Sequence, residues 1–223
     1  DFFKKEFNLY NQTFKRIFIG SMPIKHRIKT KPDKFTVLFW GYFIPLQGCD
    51  IIVRAAKLLE NDTIFRLIGD GQTFEECKKL KEKLNVKNII FEGRQNFNYI
   101  EEAMQTSNIA LGIFGKGRKA KRHIPHKAYE AIAGNIPLLT GNSPAIHELF
   151  TPGENCLVCD FEDEKSLADQ IALVMKELPL LEKINQSGFE LYNANCTPKV
   201  IGKQLKEILN DCSTNFKKNS FIN

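Results

Sequence analysis

The stretch KRHIPHKAYEAIAGNIPLL, residues 121–139, sets Lys121, Arg122, His123, His126 and Lys127 just ahead of a helix-like run whose single acidic residue is Glu130. A helix start carries partial positive charge from its unbonded N–H groups, so fixed cations there are unfavourable unless they point into water or face an anion. Pro125 suits the first helical turn, where its missing N–H costs nothing. Lys127 and Glu130 are three apart and share a face near that start. Lys127 and the free N–H groups can hold a diphosphate, while Glu130, about a turn deeper, can accept two hydrogen bonds from neighbouring ribose hydroxyls. Charge-assisted bonds of this kind contribute about 1.5–3 kcal/mol each. The competing reading is an exposed i,i+3 ion pair worth a few tenths of a kcal/mol.

The charge pattern narrows the partner. The 223-residue chain has a net charge of +6, and Lys116, Arg118, Lys119, Lys121, Arg122 and Lys127 form a run without an acid. That run accounts for the whole excess, so the remainder is near neutral. One local cluster fits a small polyanion better than a nucleic-acid track. The run also has no interleaved aromatic residue on which bases would stack.

Other chemistries find little support. Cys156 and Cys159 form a CxxC without a second pair or a suitably spaced His, and the four His show no metal-binding spacing. No metal is expected. Thr140 and Ser143 lie in no GxSxG elbow, which argues against a hydrolase. No apolar run approaches a membrane span. The chain opens Asp1-Phe2-Phe3-Lys4-Lys5 without a signal-peptide pattern. It reads as a soluble, cytoplasmic piece of a longer protein with reduced cysteines.

These side chains must be positioned by a regular scaffold. Apolar runs recur as FTVLFWG (35–41), IFRLIGDG (64–71), NIIFEG (88–93), IALGIF (109–114), IPLLTG (136–141) and NCLVCDF (155–161), with helical patterns between most of them. Strands that are apolar throughout belong to a sheet covered on both faces. The β-α alternation predicts an α/β fold, a Rossmann-like doubly wound parallel sheet flanked by helices. Ligands in such a fold bind beyond the carboxyl ends of the strands. The loops to watch are therefore 41–48, 69–73, 93–97, 114–125 and 140–144. GYFIPLQG (41–48) has a Gly at the strand end and another at a helix start, but lacks the third Gly of a dinucleotide fingerprint. IGDG (68–71) and FEGR (91–94) are strand-end turns of similar character. Residues 35–210 are read as this domain, 1–34 as the remnant of a preceding domain plus a basic linker, and 211–223 as a loose tail.

In order along the chain, the two-glycine turn after the first strand, GDG, EGR with YIEEAMQTSNIAL, the basic loop, KAYEAIAGNIPLLTG, SPAIHELF and PGENCLVC resemble the C-terminal half of the group 1 (family four) glycosyltransferases of the GT-B fold. The resemblance implies a domain that binds a nucleotide-diphosphate sugar, a UDP- or GDP-sugar, with no further cofactor. It places Glu130 on the ribose, and Gly69, Gly71, Gly93 and Arg94 around the base. Gly41, Gly48, Lys121, Arg122 and Lys127 fall around the phosphates, with Lys127 and Arg122 as the catalytic cations. Gly115, Lys116 and Gly117 fall near the donor sugar. It further implies a retaining transfer to a glycan or lipid-linked acceptor held by an N-terminal domain, whose last strand would be RIFIG (16–20), and possible peripheral contact with a membrane. By itself this piece is expected to bind nucleotide without transfer activity. The departures are specific: Tyr42 and Gln47 replace the Arg and Lys of the GRLxxxKG loop, and Arg122 replaces the first Glu of E-x7-E. We read this as phosphate-binding cations moved from one loop to the facing one. A nucleotide-sugar epimerase of the same fold, and a non-catalytic nucleotide- or nucleic-acid-binding module, are the alternatives.

Overall fold

The six apolar runs become six strands because each can bury side chains on both faces of one sheet. They are β1 (Phe35–Trp40), β2 (Thr63–Ile68), β3 (Ile89–Gly93), β4 (Ile109–Leu111), β5 (Leu138–Gly141) and β6 (Leu157–Cys159). All neighbouring strands are parallel, in the order β3-β2-β1-β4-β5-β6. The helices are α1 (Phe2–Glu6), α2 (Cys49–Leu58), α3 (Phe74–Lys83), α4 (Phe97–Gln105), α5 (His126–Ala133), α6 (Glu164–Lys176), α7 (Leu178–Asn195) and α8 (Pro198–Ser220). The computed structural model describes residues 2–8, 14–25 and 32–220.

Successive residues of β1 point to opposite faces. Val37 and Phe39 join a core with residues of α2, α3 and α6, and Leu38 and Trp40 join a second core with residues of α4, α5 and α7. Each fully buried side chain of this size contributes about 1.5–3 kcal/mol, so the centre of the sheet is a rigid base for whatever its loops carry. The strand order reverses between β1 and β4, which opens a crevice at their carboxyl ends.

Three boundary expectations change. Pro125 is the N-cap of α5 rather than a residue of its first turn, with extended φ −67°, ψ 146°. RIFIG forms no strand, since among the described residues no strand pairs with it, and the residue that follows it is tied to the end of α7, Ser21 N–H donating to Cys196 O at 3.2 Å and Tyr192 Oη to Ser21 O at 3.2 Å. The helical backbone of α8 reaches Ser220, inside the segment expected to be a loose tail, since no Gly or Pro follows Gly202 to stop it. Most of the basic linker, residues 26–31, lies outside the described residues.

Candidate functional site

The carboxyl end of β1 turns sharply at Gly41, and the start of α5 approaches it from across the β1/β4 crevice. Lys127, the second residue of α5, is buried, with 6% of its surface exposed. Its Nζ donates to Gln47 Oε1 at 2.7 Å and lies 3.7 Å from the centroid of the Phe39 ring. Among the described residues no carboxylate forms an ion pair with it. Burial pushes the Lys127 ammonium down to about 7, and the nearby charge of Glu130 offsets only part of that. An exposed ion pair between Lys127 and Glu130 is thereby excluded. Gly41 permits the arrangement: at φ +140°, a Cβ there would sit 3.2 Å from Lys127 Nζ.

Glu130 is held by two other groups. Trp40 Nε1–H donates to Oε2 at 2.7 Å, and His126 Nδ1 lies 2.9 Å from Oε1. Only 14% of the Glu130 side chain is exposed, against 58% for His126. An indole N–H can only donate, so Oε2 is fixed as an acceptor, and each oxygen retains a lone pair for a further donor.

The start of α5 has no side-chain cap, as is also true of α2, α3 and α7, whereas two other helices have one. Asn96 caps α4 by accepting from Tyr99 N–H, and Asp163 caps α6 by accepting from Ser166 N–H. The N-cap of α5 is Pro125, whose side chain makes no such bond. Ala128 N–H already donates to Pro125 O at 2.9 Å, so the first-turn groups this start offers to an anion are the N–H of His126 and Lys127.

A cavity of about 260 Å³ adjoins the site on the β2–β3 side. It is lined in part by Trp40, Tyr42, Ile68, Arg94, Gln95 and Ile100, with backbone from Gly41, Gly69 and Gly71. Three of the glycines singled out in the sequence thus meet Arg94 in one pocket. Gly93, which is not part of that lining, accepts from Gly69 N–H at 2.7 Å.

The remaining candidates divide. Gly48 and Gly115 pack on each other: a Cβ on Gly48 would lie 2.6 Å from Gly115 N, and one on Gly115 would lie 1.9 Å from Pro45 O. Their immediate role is to let the loops after β1 and β4 zip together, with Phe114 N–H donating to Gln47 O at 3.0 Å and Gly115 N–H to Leu46 O at 3.2 Å. This zipper is what fixes Gln47 beside Lys127. Lys121 and Arg122 are exposed on the turn before α5, and Lys121 Nζ lies 5.5 Å from the Phe161 ring centroid. Lys116, with Gly117 beside it on the same exposed turn, reaches Glu162 at 3.9 Å. Among the described residues no group of three or more His, Cys, Asp or Glu side chains could hold a metal ion.

The sequence reading missed the grip on Glu130. The i,i+4 spacing of His126 and Glu130 was a usable signal. Nothing local foretold Trp40, which is 90 positions away.

A parallel six-stranded sheet with helices on both faces and a strand-order reversal at β1/β4 defines a Rossmann-like α/β class of fold. The chain belongs to the group 1 glycosyl transferases: that family's model matches residues 22–191. It is 24% identical over 160 residues to an uncharacterized glycosyltransferase of Methanocaldococcus jannaschii, which covers 69% of this chain and 42% of that protein. Among solved structures it superposes on the pneumococcal O-GlcNAc transferase GtfA, crystallised with UDP and GlcNAc, with a TM-score of 0.75 at 15% identity, covering 94% of this chain and 42% of that one. The C-terminal domain of the group 1 glycosyl transferase LpcC from Francisella tularensis matches with a TM-score of 0.64 at 20% identity, covering 79% of this chain and 96% of that domain. The architecture is that of GT-B glycosyltransferases. The chain spans less than half the length of the curated relatives it matches. Among the described residues no helix is long and apolar enough to cross a membrane.

Proposed function

We propose that this chain is the donor-binding half of a glycosyltransferase and holds the diphosphate of a UDP- or GDP-sugar at the β1/β4 crevice. The observation that carries the reading is the Lys127 ammonium, buried at the strand-order reversal with an amide partner and, among the described residues, no paired carboxylate. Burying a cation without a counter-ion is costly, and a site built to receive an anion supplies the missing partner. Gln47 stands where the resembling family carries its phosphate-binding Lys, and Lys127 Nζ lies 2.7 Å from that side chain. This supports a relocated cation: the charge enters from α5 while its position near the phosphate is kept.

In this reading the uncapped start of α5 and Lys127 hold the two phosphates, with Lys121 and Arg122 closing over them from the exposed turn. Glu130 takes the ribose hydroxyls. The base enters the cavity beside Trp40, against Gly69, Gly71 and Arg94, and the donor sugar lies toward Gly115–Gly117. Catalysis rests on electrostatic stabilisation of the departing diphosphate by Lys127, Arg122 and the helix start. Transfer proceeds with retention, to a glycan or lipid-linked acceptor supplied by an N-terminal domain, and the assembled enzyme contacts the membrane peripherally. The chain alone binds nucleotide without transferring sugar.

Calorimetric titration of UDP, GDP and ADP tests this. One of them binds in the micromolar range, and Lys127→Ala abolishes the heat. Binding of none would sink the donor-site reading, and unchanged affinity in both Lys127→Ala and Arg122→Ala would sink the relocated-cation reading.

A further inference from the structure

We propose that Trp40 is a positioning residue that makes the site selective for ribonucleotides over 2′-deoxyribonucleotides. The inference rests on the reading of Glu130 as the ribose contact.

A vicinal diol is recognised by a carboxylate only when both oxygens are presented in a fixed plane; a freely rotating carboxylate loses that advantage to ordering entropy. Glu130 does not rotate freely. Trp40 pins Oε2 at 2.7 Å and His126 pins Oε1 at 2.9 Å, so the plane is set before ligand arrives and one lone pair per oxygen remains. The two donors are not equivalent. His126 is more than half exposed on the same helix as Glu130, whereas Trp40 is 4% exposed, ends β1 and belongs to the core shared with α5. A buried indole N–H needs an acceptor, and here the acceptor is Glu130 itself. The rigid donor is therefore Trp40, and its position is set by the sheet. Trp40 is also among the residues that line the cavity, so one residue joins the pocket to the carboxylate.

Trp40 is the chain's single tryptophan, which makes the test direct. In the intact chain, UDP is expected to bind about tenfold or more tighter than 2′-deoxy-UDP, the equivalent of one charge-assisted hydrogen bond. In Trp40→Phe, UDP weakens about tenfold while 2′-deoxy-UDP changes little, so the ratio falls toward one. In Glu130→Gln the ratio is already lost, and adding Trp40→Phe moves it no further. Equal weakening of both nucleotides in Trp40→Phe, which a purely structural role would give, overturns the proposal. Because Trp40 is buried, a second measurement uses the unaltered side chain. The single indole ¹H–¹⁵N resonance is expected to move on Glu130→Gln, and to move further with UDP than with 2′-deoxy-UDP. Identical shifts with both nucleotides contradict the proposal. If GDP is the nucleotide that binds, GDP and 2′-deoxy-GDP replace the uridine pair; failure of UDP and GDP alike to bind removes the donor-site reading itself, whereas tight binding without discrimination removes only the role given to Trp40.

Discussion

Among the described residues, Arg66 and Lys127 are two cations withdrawn from solvent, and they are treated oppositely. Arg66, on β2, has its guanidinium forked onto Glu92, Nε to Oε1 at 2.6 Å and Nη2 to Oε2 at 3.0 Å, while Nη1 reaches Thr106 Oγ1 at 3.0 Å and Tyr99 Oη donates to Glu92 Oε2 at 2.6 Å. The hydrogen bond with Glu92 holds the guanidinium above its ordinary value. Lys127 is more deeply buried, has one amide partner and a ring face, and is pushed down to about 7. A fold that satisfies one buried charge so fully does not leave the other short for want of carboxylates in the sequence. Structural cations arrive with their counter-ions; a cation that waits for a ligand carries a stability penalty until the ligand binds.

The contrast can be broken at either end. Glu92→Ala strands Arg66 and removes the acceptor of Tyr99; it is expected to destabilise the domain by about 3 kcal/mol, read as a lower midpoint in denaturant with unchanged slope. A loss below about 0.5 kcal/mol would show that solvent already satisfies Arg66. Lys127→Met should do the reverse and stabilise the unliganded domain by about 1–2 kcal/mol, because the cost of burying the charge disappears. Destabilisation there would mean that the ammonium is a structural partner.

A third test uses pH. The folded Lys127 titrates near 7 and the unfolded one near its ordinary 10.5. Between these values the unfolded chain binds more protons, so this residue makes stability rise with pH; the penalty is complete below about 7 and vanishes above about 10.5. Diphosphate binding favours the charged form, so above pH 7 the complex takes up a proton. Affinity should fall by up to about tenfold per pH unit, and the binding heat should vary with buffer ionisation enthalpy. A flat profile from pH 7 to 9 in wild type, matching Lys127→Met, would remove Lys127 from the account.

Smaller effects belong to the exposed turn. Arg122→Ala and Lys121→Ala should each weaken nucleotide binding about threefold, less at high salt, since both side chains are exposed.

How much of this was legible beforehand follows the range of the interactions. The sheet was readable because each strand is an apolar run bounded by turn residues, and even the three-residue β4 and β6 announced themselves that way. The polar start of α5 was readable because six cations crowd a helix N-terminus. What escaped was every contact made across the chain. Lys127 meets Gln47 over 80 positions and Glu130 meets Trp40 over 90, and no periodicity encodes such a meeting. The same gap hid a second use of Gly48 and Gly115, which read as ligand turns and also let two loops touch. The depth of Lys127 was not legible either, since a lysine three residues from a glutamate on a helix is ordinarily solvated, and this one is buried.

The central claim is that the buried ammonium of Lys127 exists to bind a nucleoside diphosphate. Titration of UDP and GDP into wild type and Lys127→Met by calorimetry at pH 7 tests it directly. The account predicts micromolar binding of at least one nucleotide to wild type and a loss of about 100-fold or more in Lys127→Met, while the variant's melting temperature rises. Equal affinity in the two proteins, or no binding to either, would contradict it.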